Sequence, residues 1–271
     1  SLYTNKQIIM AATNKSPLKI ILGGGGESLS LEQLQLLLSY HRSLTEDTQF
    51  GTKGTDPLAK FETTEEINAI LTKFANRGYD TIDTSRMYGA SESRLGGVAA
   101  GDKFTIDTKV TSWQPGIHSK DNVLKEIDAS LEALKVKQIH LEYLHTPDRD
   151  TPFEESCEAM NIAQKAGKIK SWGVSNYTAE EIEKICQICE QHGWVKPSVY
   201  QGHYNAIVRG GEKTLFPVLR KHGMKFYAYS PAGGGFFAGN HKKPAAGGRF
   251  DPSVSMQPLN ALSFRPRLTR F

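Results

Sequence analysis

The chain has 271 residues, 38% of them hydrophobic and 23% charged, which suits one barrel or two ordinary domains and excludes general disorder. Lysines and arginines number 33 against 29 acidic residues, and a net charge of +4 spread along the chain does not indicate nucleic acid. No apolar run approaches the ~20 residues of a membrane span, and the three cysteines form no disulfide framework, as expected in a reducing cytosol.

Residues 1–10, SLYTNKQIIM, lack the apolar core and cleavage site of a secretory leader. Met10, followed by AATNKSPLKIILG, reads like a natural start and leaves residues 1–9 outside the folded unit. KIIL (19–22) is a first strand. Residues 24–49 then hold a Leu-rich helix candidate with no strand after it. Strand, glycine turn, helix and Glu46 or Asp47 about 20 residues on outline a dinucleotide-binding βαβ unit. The G-x-G-x-x-G spacing is broken at Ser28, however, and no second strand precedes Phe50.

From Phe61 onward helices and strands alternate. FETTEEINAILTKFANRG leads to YDTIDT, SESRLGGVAAG to FTIDTKV, and DNVLKEIDASLEALKV to IHLEYLH. FEESCEAMNIAQKAG leads to KIKSWGVS, AEEIEKICQICEQHG to VKPSVYQ, and EKTLFPVLRKHG to MKFYAYS. Strand starts near Tyr79, Phe104, His140, Lys168, Pro197 and Lys225 are 25 to 36 residues apart, one strand-helix unit each. Capping boxes are expected at Thr63/Glu66, Thr151/Glu154 and Thr178/Glu181. Glycine caps are expected at Gly78, Gly101, Gly167, Gly193 and Gly223. Strands apolar on both faces imply a parallel sheet covered by helices. With KIIL the count is seven strands; an eight-stranded barrel needs one more. After GGRFDPS the sequence VSMQPLNALSFRPRLTRF has no period and no acidic residue, and reads as a disordered tail at 254–271. Cys186 and Cys189 form a C-x-x-C inside an amphipathic helix. It lacks the further ligands of a zinc site and the helix-start position of a redox motif, so these cysteines, with Cys157, are expected in helix packing.

Six strands end in polar side chains. Asp83 closes YDTID with Tyr88 just beyond, Lys109 closes FTIDTK, and His145 closes HLEYLH. Ser175 and Asn176 follow KSWGV, Gln201 ends SVYQ, and Tyr229 and Ser230 end KFYAYS. In an alternating barrel all strand C-termini meet on one face, where catalytic residues gather. A tyrosine, with a pKa of about 10, is a slow acid at neutral pH; a nearby lysine ammonium stabilises its phenolate and lowers that value. An aspartate fixes the lysine, and a histidine can orient a substrate oxygen. The set suits protonation of an alkoxide forming on a carbonyl. The electrons need a reductant, and a nicotinamide is the usual hydride source. Ser175, Asn176 and Gln201 could hold a carboxamide, and Tyr229 offers a face for a ring. Ser230 and the run Pro231, Ala232, Gly233, Gly234 and Gly235 could line a pyrophosphate, each but the proline with a backbone N–H to offer. Each residue alone also reads as a cap, a loop residue or a solvated strand end; the joint placement on one rim outweighs that. No metal site is expected.

The segments DTIDTSRMYG, TKV, LEYLHTPD, GVSNY and FYAYSP resemble the aldo-keto reductase family. YQGHYNAIVR and LFPVLRKHG resemble its aflatoxin-aldehyde reductase subgroup. The likeness runs from about Phe50 to Ser253, with a short piece at Pro17–Gly23. It implies a (β/α)8 TIM barrel over residues 10–253, NADPH as cofactor, reduction of aldehydes or ketones, and a homodimer, while the composition points to a cytoplasmic protein without nucleic-acid or membrane partners. By matching motif, Asp83 and Lys109 tune Tyr88, Tyr88 donates the proton, and His145 orients the carbonyl. Ser175, Asn176 and Gln201 hold the nicotinamide amide, Tyr229 stacks on its ring, and residues from Ser230 to Asn240 run along the diphosphate. Arg249 resembles a subgroup arginine near the adenosine phosphate. The chain departs from the family in the insertion at 24–49 and in the last strand, helix and basic segment, which find no counterpart. The expected barrel is therefore incomplete, and the insertion and tail read as sequence foreign to the family. The rival readings are an inactive or regulatory cofactor-binding relic of such an enzyme, and a phosphate-chemistry barrel using Gly233–Gly235.

Overall fold

Residues 22–23, 49–54, 59–242 and 250 are described by the structure, a computed structural model. The strands are β1 (Leu22–Gly23), β2 (Gln49–Phe50), β3 (Ala59–Phe61), β4 (Thr81–Asp83), β5 (Thr105–Val110), β6 (Ile139–Leu144), β7 (Ile169–Ser175), β8 (Val199–His203) and β9 (Lys225–Tyr229). The helices are α1 (Thr64–Ala75), α2 (Ser91–Gly97), α3 (Lys120–Leu134), α4 (Phe153–Lys165), α5 (Ala179–His192) and α6 (Gly211–Lys221), with a 3₁₀ turn at Ala100–Asp102. From β4 onward one helix separates each pair of consecutive strands.

Seven strands form one sheet in the order β1-β4-β5-β6-β7-β8-β9, and every neighbouring pair is parallel. This is the curled, strand-by-strand order of a (β/α)8 barrel, incomplete because the described residues supply seven of its strands. β1 pairs with β4, Leu22 opposite Ile82 and Gly23 opposite Asp83. β2 does not join this sheet: it pairs in parallel with β3. A βαβ unit running from β1 to β2 is thereby excluded, since such a unit needs both strands in one sheet. The helix candidate within residues 24–48 and the tail beyond Ser253 lie outside the described residues.

Two apolar clusters follow from the alternation of side chains along the strands. The larger fills the layer between sheet and helices, with Ile82, Ile106 and Val174 from strands meeting Leu95, Ile127, Met160 and Ile185 from helices. Cys157, Cys186 and Cys189 are buried there as free thiols, in keeping with the packing reading. The smaller cluster, Leu141, Tyr143 and Val199 with Tyr227, lies on the other face of the sheet.

The capping boxes at Thr63/Glu66 and Thr178/Glu181 are both formed. The one expected at Thr151/Glu154 is not. Thr151 Oγ1 donates to Asp148 Oδ2 at 2.6 Å, and Pro152 takes the cap position without a side-chain bond. Gly101 is likewise not a left-handed cap; it sits in the 3₁₀ turn, and Ala99 carries the positive φ of 51°. Phe61, read as the start of a helix, belongs to β3, with α1 beginning at Thr64. No helix among the described residues is long and apolar enough to cross a membrane.

Candidate active site

The rim is built from the C-terminal ends of β4 to β9. Asp83 is the last residue of β4, Lys109 the penultimate residue of β5, and His145 follows the end of β6. Ser175 ends β7, Asn176 follows it, and Tyr229 ends β9. Gln201 lies two residues inside the end of β8. Tyr88 stands on the turn between β4 and α2, its N–H bonded to Ser85 O at 3.1 Å.

Lys109 is fully buried. Its Nζ forms an ion pair with Asp83 Oδ2 and donates to Thr84 O at 2.8 Å. Burial alone pulls this ammonium down, but the Asp83 carboxylate, helped by Tyr88 and Asp107, outweighs it and the net shift is upward. Asp83 is held a second time, since Gln201 Nε2 donates to its Oδ1 at 2.9 Å. Lys109 Nζ lies 5.3 Å from the centre of the Tyr88 ring.

His145 closes the other side of Tyr88. The two rings meet edge to face with centroids 5.7 Å apart. Burial, then the positive charge of Lys109 and the nearby His118, push His145 well below its ordinary value, so its imidazole is neutral at pH 7. Its Nδ1 lies 3.1 Å from Ser85 Oγ. Asp83, Tyr88, Lys109 and His145 thus form one contiguous group.

The second set is knitted along β7 to β9. Asn176 Nδ2 donates to His145 O and to Ser175 Oγ, both at 3.0 Å. Its Oδ1 accepts from Tyr229 Oη at 2.8 Å. Asn176 takes a left-handed φ of 67°, which asparagine tolerates better than most residues. The Tyr229 ring is stacked on His203, centroids 5.2 Å apart and 7° from parallel. After Ser230 the chain turns through Gly233, Gly234 and Gly235 with φ of 63°, 64° and 82°. The positive φ of Gly235 favours glycine, and an added Cβ there would also have to displace the Asn240 side chain, 2.5 Å away at Nδ2. The Gly233 N–H is used within this turn, donating to Ser230 O at 3.0 Å; turns that set other backbone N–H groups side by side can receive anionic groups. Arg249 lies outside the described residues.

Sequence reading missed several members of this rim. Ser85 fixes His145. Trp113, with φ of 69° and 51% exposed, sets its ring against His145 at 4.8 Å. Asn205 is buried and ties the rim together: Nδ2 donates to Ser230 O at 3.0 Å, while Oδ1 accepts from the N–H groups of Ile207 and Val208. Its Asn-x-x turn pattern is the one signal that could have found it. Behind the sheet Glu92 accepts from Thr108 Oγ1 and Ser130 Oγ at 2.6 and 2.8 Å and pairs with Arg86 at 3.0 Å. Arg86 N–H bonds Lys109 O at 3.1 Å, so this part-buried pair anchors the turn that carries Tyr88.

A concavity of about 370 Å³ opens at the opposite ends of the strands, lined by Thr105, His140 and Lys170 among others, and contains none of these rim residues. No group of three histidine, cysteine or acidic side chains is placed to hold a metal ion among the described residues.

A sequence model of the aldo/keto reductase family matches residues 48–267. Aflatoxin B1 aldehyde reductase member 2 of Homo sapiens is 40% identical over 181 residues, 64% of this chain and 50% of that protein. An aldo-keto reductase of Pseudocercospora fijiensis is 37% identical over 197 residues, 68% of this chain and 66% of that protein. Oxidoreductase sirO of Leptosphaeria maculans is 38% identical over 208 residues, 75% of this chain and 63% of that protein. The chain thus spans about half to two thirds of the length of these curated relatives. With the parallel barrel order and the rim in hand, the chain belongs to the aldo/keto reductase family and stands with its aflatoxin-aldehyde reductase subgroup.

Proposed function

We propose that this chain reduces aldehydes, and ketones by the same chemistry, to alcohols with NADPH. The observation that carries the reading is the buried Lys109 ammonium, paired to Asp83 and set 5.3 Å from the Tyr88 ring, with a neutral His145 across the same ring. Relatives that are named aldehyde reductases support the substrate class.

The residues present fit a reduced nicotinamide dinucleotide. Ser175, Asn176 and Gln201 bring amide and hydroxyl groups to adjoining strand ends, as a carboxamide requires. Asn176 re-pairs from Ser175, His145 and Tyr229 when it takes a ligand amide. Tyr229 presents an aromatic ring and the glycines at 233–235 a backbone cradle. A bound nicotinamide supplies the hydride.

The chain's own residues handle the proton and the orientation. In the tautomer whose Nδ1 accepts from Ser85 Oγ, the His145 Nε2 carries the proton and donates to a carbonyl oxygen. A neutral imidazole can do this without charging the pocket. Tyr88 gives its phenolic proton to that oxygen as it becomes an alkoxide. Negative charge then builds on Tyr88, and the fully buried Lys109 ammonium beside it stabilises that charge. Asp83 holds Lys109 in place, and Gln201 holds Asp83.

Titration of the purified chain with NADPH, followed by cofactor fluorescence, tests the reading. Saturable micromolar binding together with aldehyde-dependent consumption of NADPH is expected. Binding without consumption would identify a cofactor-binding relic, and no binding by a folded sample would sink the reading.

A further inference from the structure

A second tyrosine ring lies on Lys109. Its Nζ is 5.6 Å from the centre of Tyr143 and 5.3 Å from that of Tyr88, so the ammonium lies over two aromatic rings. The placement follows from register. Lys109 on β5 faces Tyr143 on β6, and Tyr143 faces Gly173 on β7. A Cβ on Gly173 would come within 2.8 and 2.9 Å of Tyr143 Cε1 and Cδ1. The missing side chain is what lets the ring lie over β7 and under the cation.

The two tyrosines differ in setting. Tyr88 is half-buried at the rim, whereas Tyr143 is fully buried and its hydroxyl has no hydrogen-bond partner among the described residues. Burial, then the charges of Asp107 and Asp83, push the Tyr143 phenol well above its ordinary range. It therefore keeps its proton and stays a neutral ring with an electron-rich face. Such a face attracts a cation most strongly where water is excluded. The hydroxyl does nothing polar that a phenylalanine would lack.

We propose that Tyr143 is a positioning residue for the Lys109 ammonium: its ring face holds the cation from the barrel interior and presents it to Asp83 and Tyr88. Asp83 offsets the burial of the charge on one side, and the ring offsets it on another. The inference rests on the role given above to Lys109, but its test does not need turnover.

The full chain is labelled with ¹⁵N at lysine Nζ. Position 143 is changed to Phe and then to 4-fluoro-, 3,5-difluoro- and 3,4,5-trifluorophenylalanine. Fluorine drains the ring face with little change in size. The readout is the solvent-exchange rate of the Lys109 NH₃⁺ protons by NMR near neutral pH, with the urea midpoint checked for each variant. Tyr143→Phe should exchange like the parent. Each added fluorine should speed exchange, on the order of thirtyfold across the series, the size of a desolvated cation–π contact. An exchange rate indifferent to fluorine would overturn the proposal. So would a Tyr143→Phe protein that already exchanges like the trifluoro variant, since that assigns the effect to the hydroxyl. A parallel turnover assay of Tyr88→Phe keeps the two ideas apart. Full turnover there, with a fluorine-dependent Lys109, would remove the catalytic reading and leave the positioning role standing.

Discussion

Replacing Lys109 with methionine removes a charge but keeps a similar length of apolar stem. Three partners are then stranded: Asp83 loses its ion pair, Thr84 O loses its donor, and Tyr88 loses the neighbouring cation. Breaking one side of a buried pair typically costs about 3–5 kcal/mol, because the remaining charge is left without compensation. Asp83 keeps the hydrogen bond from Gln201 and is 8% exposed, which places the cost near the lower end, about 3 kcal/mol. At a urea slope of about 1–3 kcal/mol per molar, the unfolding midpoint should fall by about 1 M or more. Adding Asp83→Asn removes the stranded charge. The double variant should therefore be no less stable than Lys109→Met alone, with a coupling of about 2 kcal/mol between the sites. Urea unfolding followed by circular dichroism measures all four corners of the cycle. Additive single effects, or a Lys109→Met loss within the roughly 0.5 kcal/mol of an ordinary surface change, would refute the buried pair as the organising contact of the rim.

Glu142 is fully buried, and neither of its carboxylate oxygens is hydrogen-bonded among the described residues. Burial, and then the charge of Glu92, push its pKa well above the usual carboxylate range. The folded state thus holds a proton that the unfolded chain releases near pH 4.5, and stability should fall as pH rises from there through the raised value. Glu142→Gln should flatten that slope, and an unchanged pH profile of the urea midpoint would show the group is not protonated in the fold. Gly173→Ala should be destabilising by about 1–3 kcal/mol through overpacking, since the new Cβ would stand 2.6 Å from Val199 O as well as against Tyr143. A thermal unfolding midpoint equal to the parent's would mean that β7 does not approach its neighbours as described.

The alternation of helix and strand from α1 to β9 was legible because the longer helices carry a 3.6-residue apolar stripe and most strands are a short apolar run after a helix closed by glycine. β2 and β3 were not, because elements of two and three residues are too short to show a period. The box at Thr151 failed for a reason no spacing reveals: Asp148, only three residues away, captured the hydroxyl first. The rim residues were visible as polar strand ends. Their partners were not, because Gln201 meets Asp83 across 118 residues, and Tyr143 looks in the sequence like any apolar strand residue. Only the register of three strands puts its ring on Lys109.

The central claim is that Tyr88 gives up the proton. Tyr88→Phe keeps the ring beside Lys109 and His145 and removes only the phenolic group. The decisive measurement is NADPH consumption with an aldehyde by parent and variant, with NADPH affinity measured in both. The account predicts that the variant binds NADPH as the parent does and loses nearly all turnover. A variant that binds the cofactor and turns over at the parent's rate would contradict it.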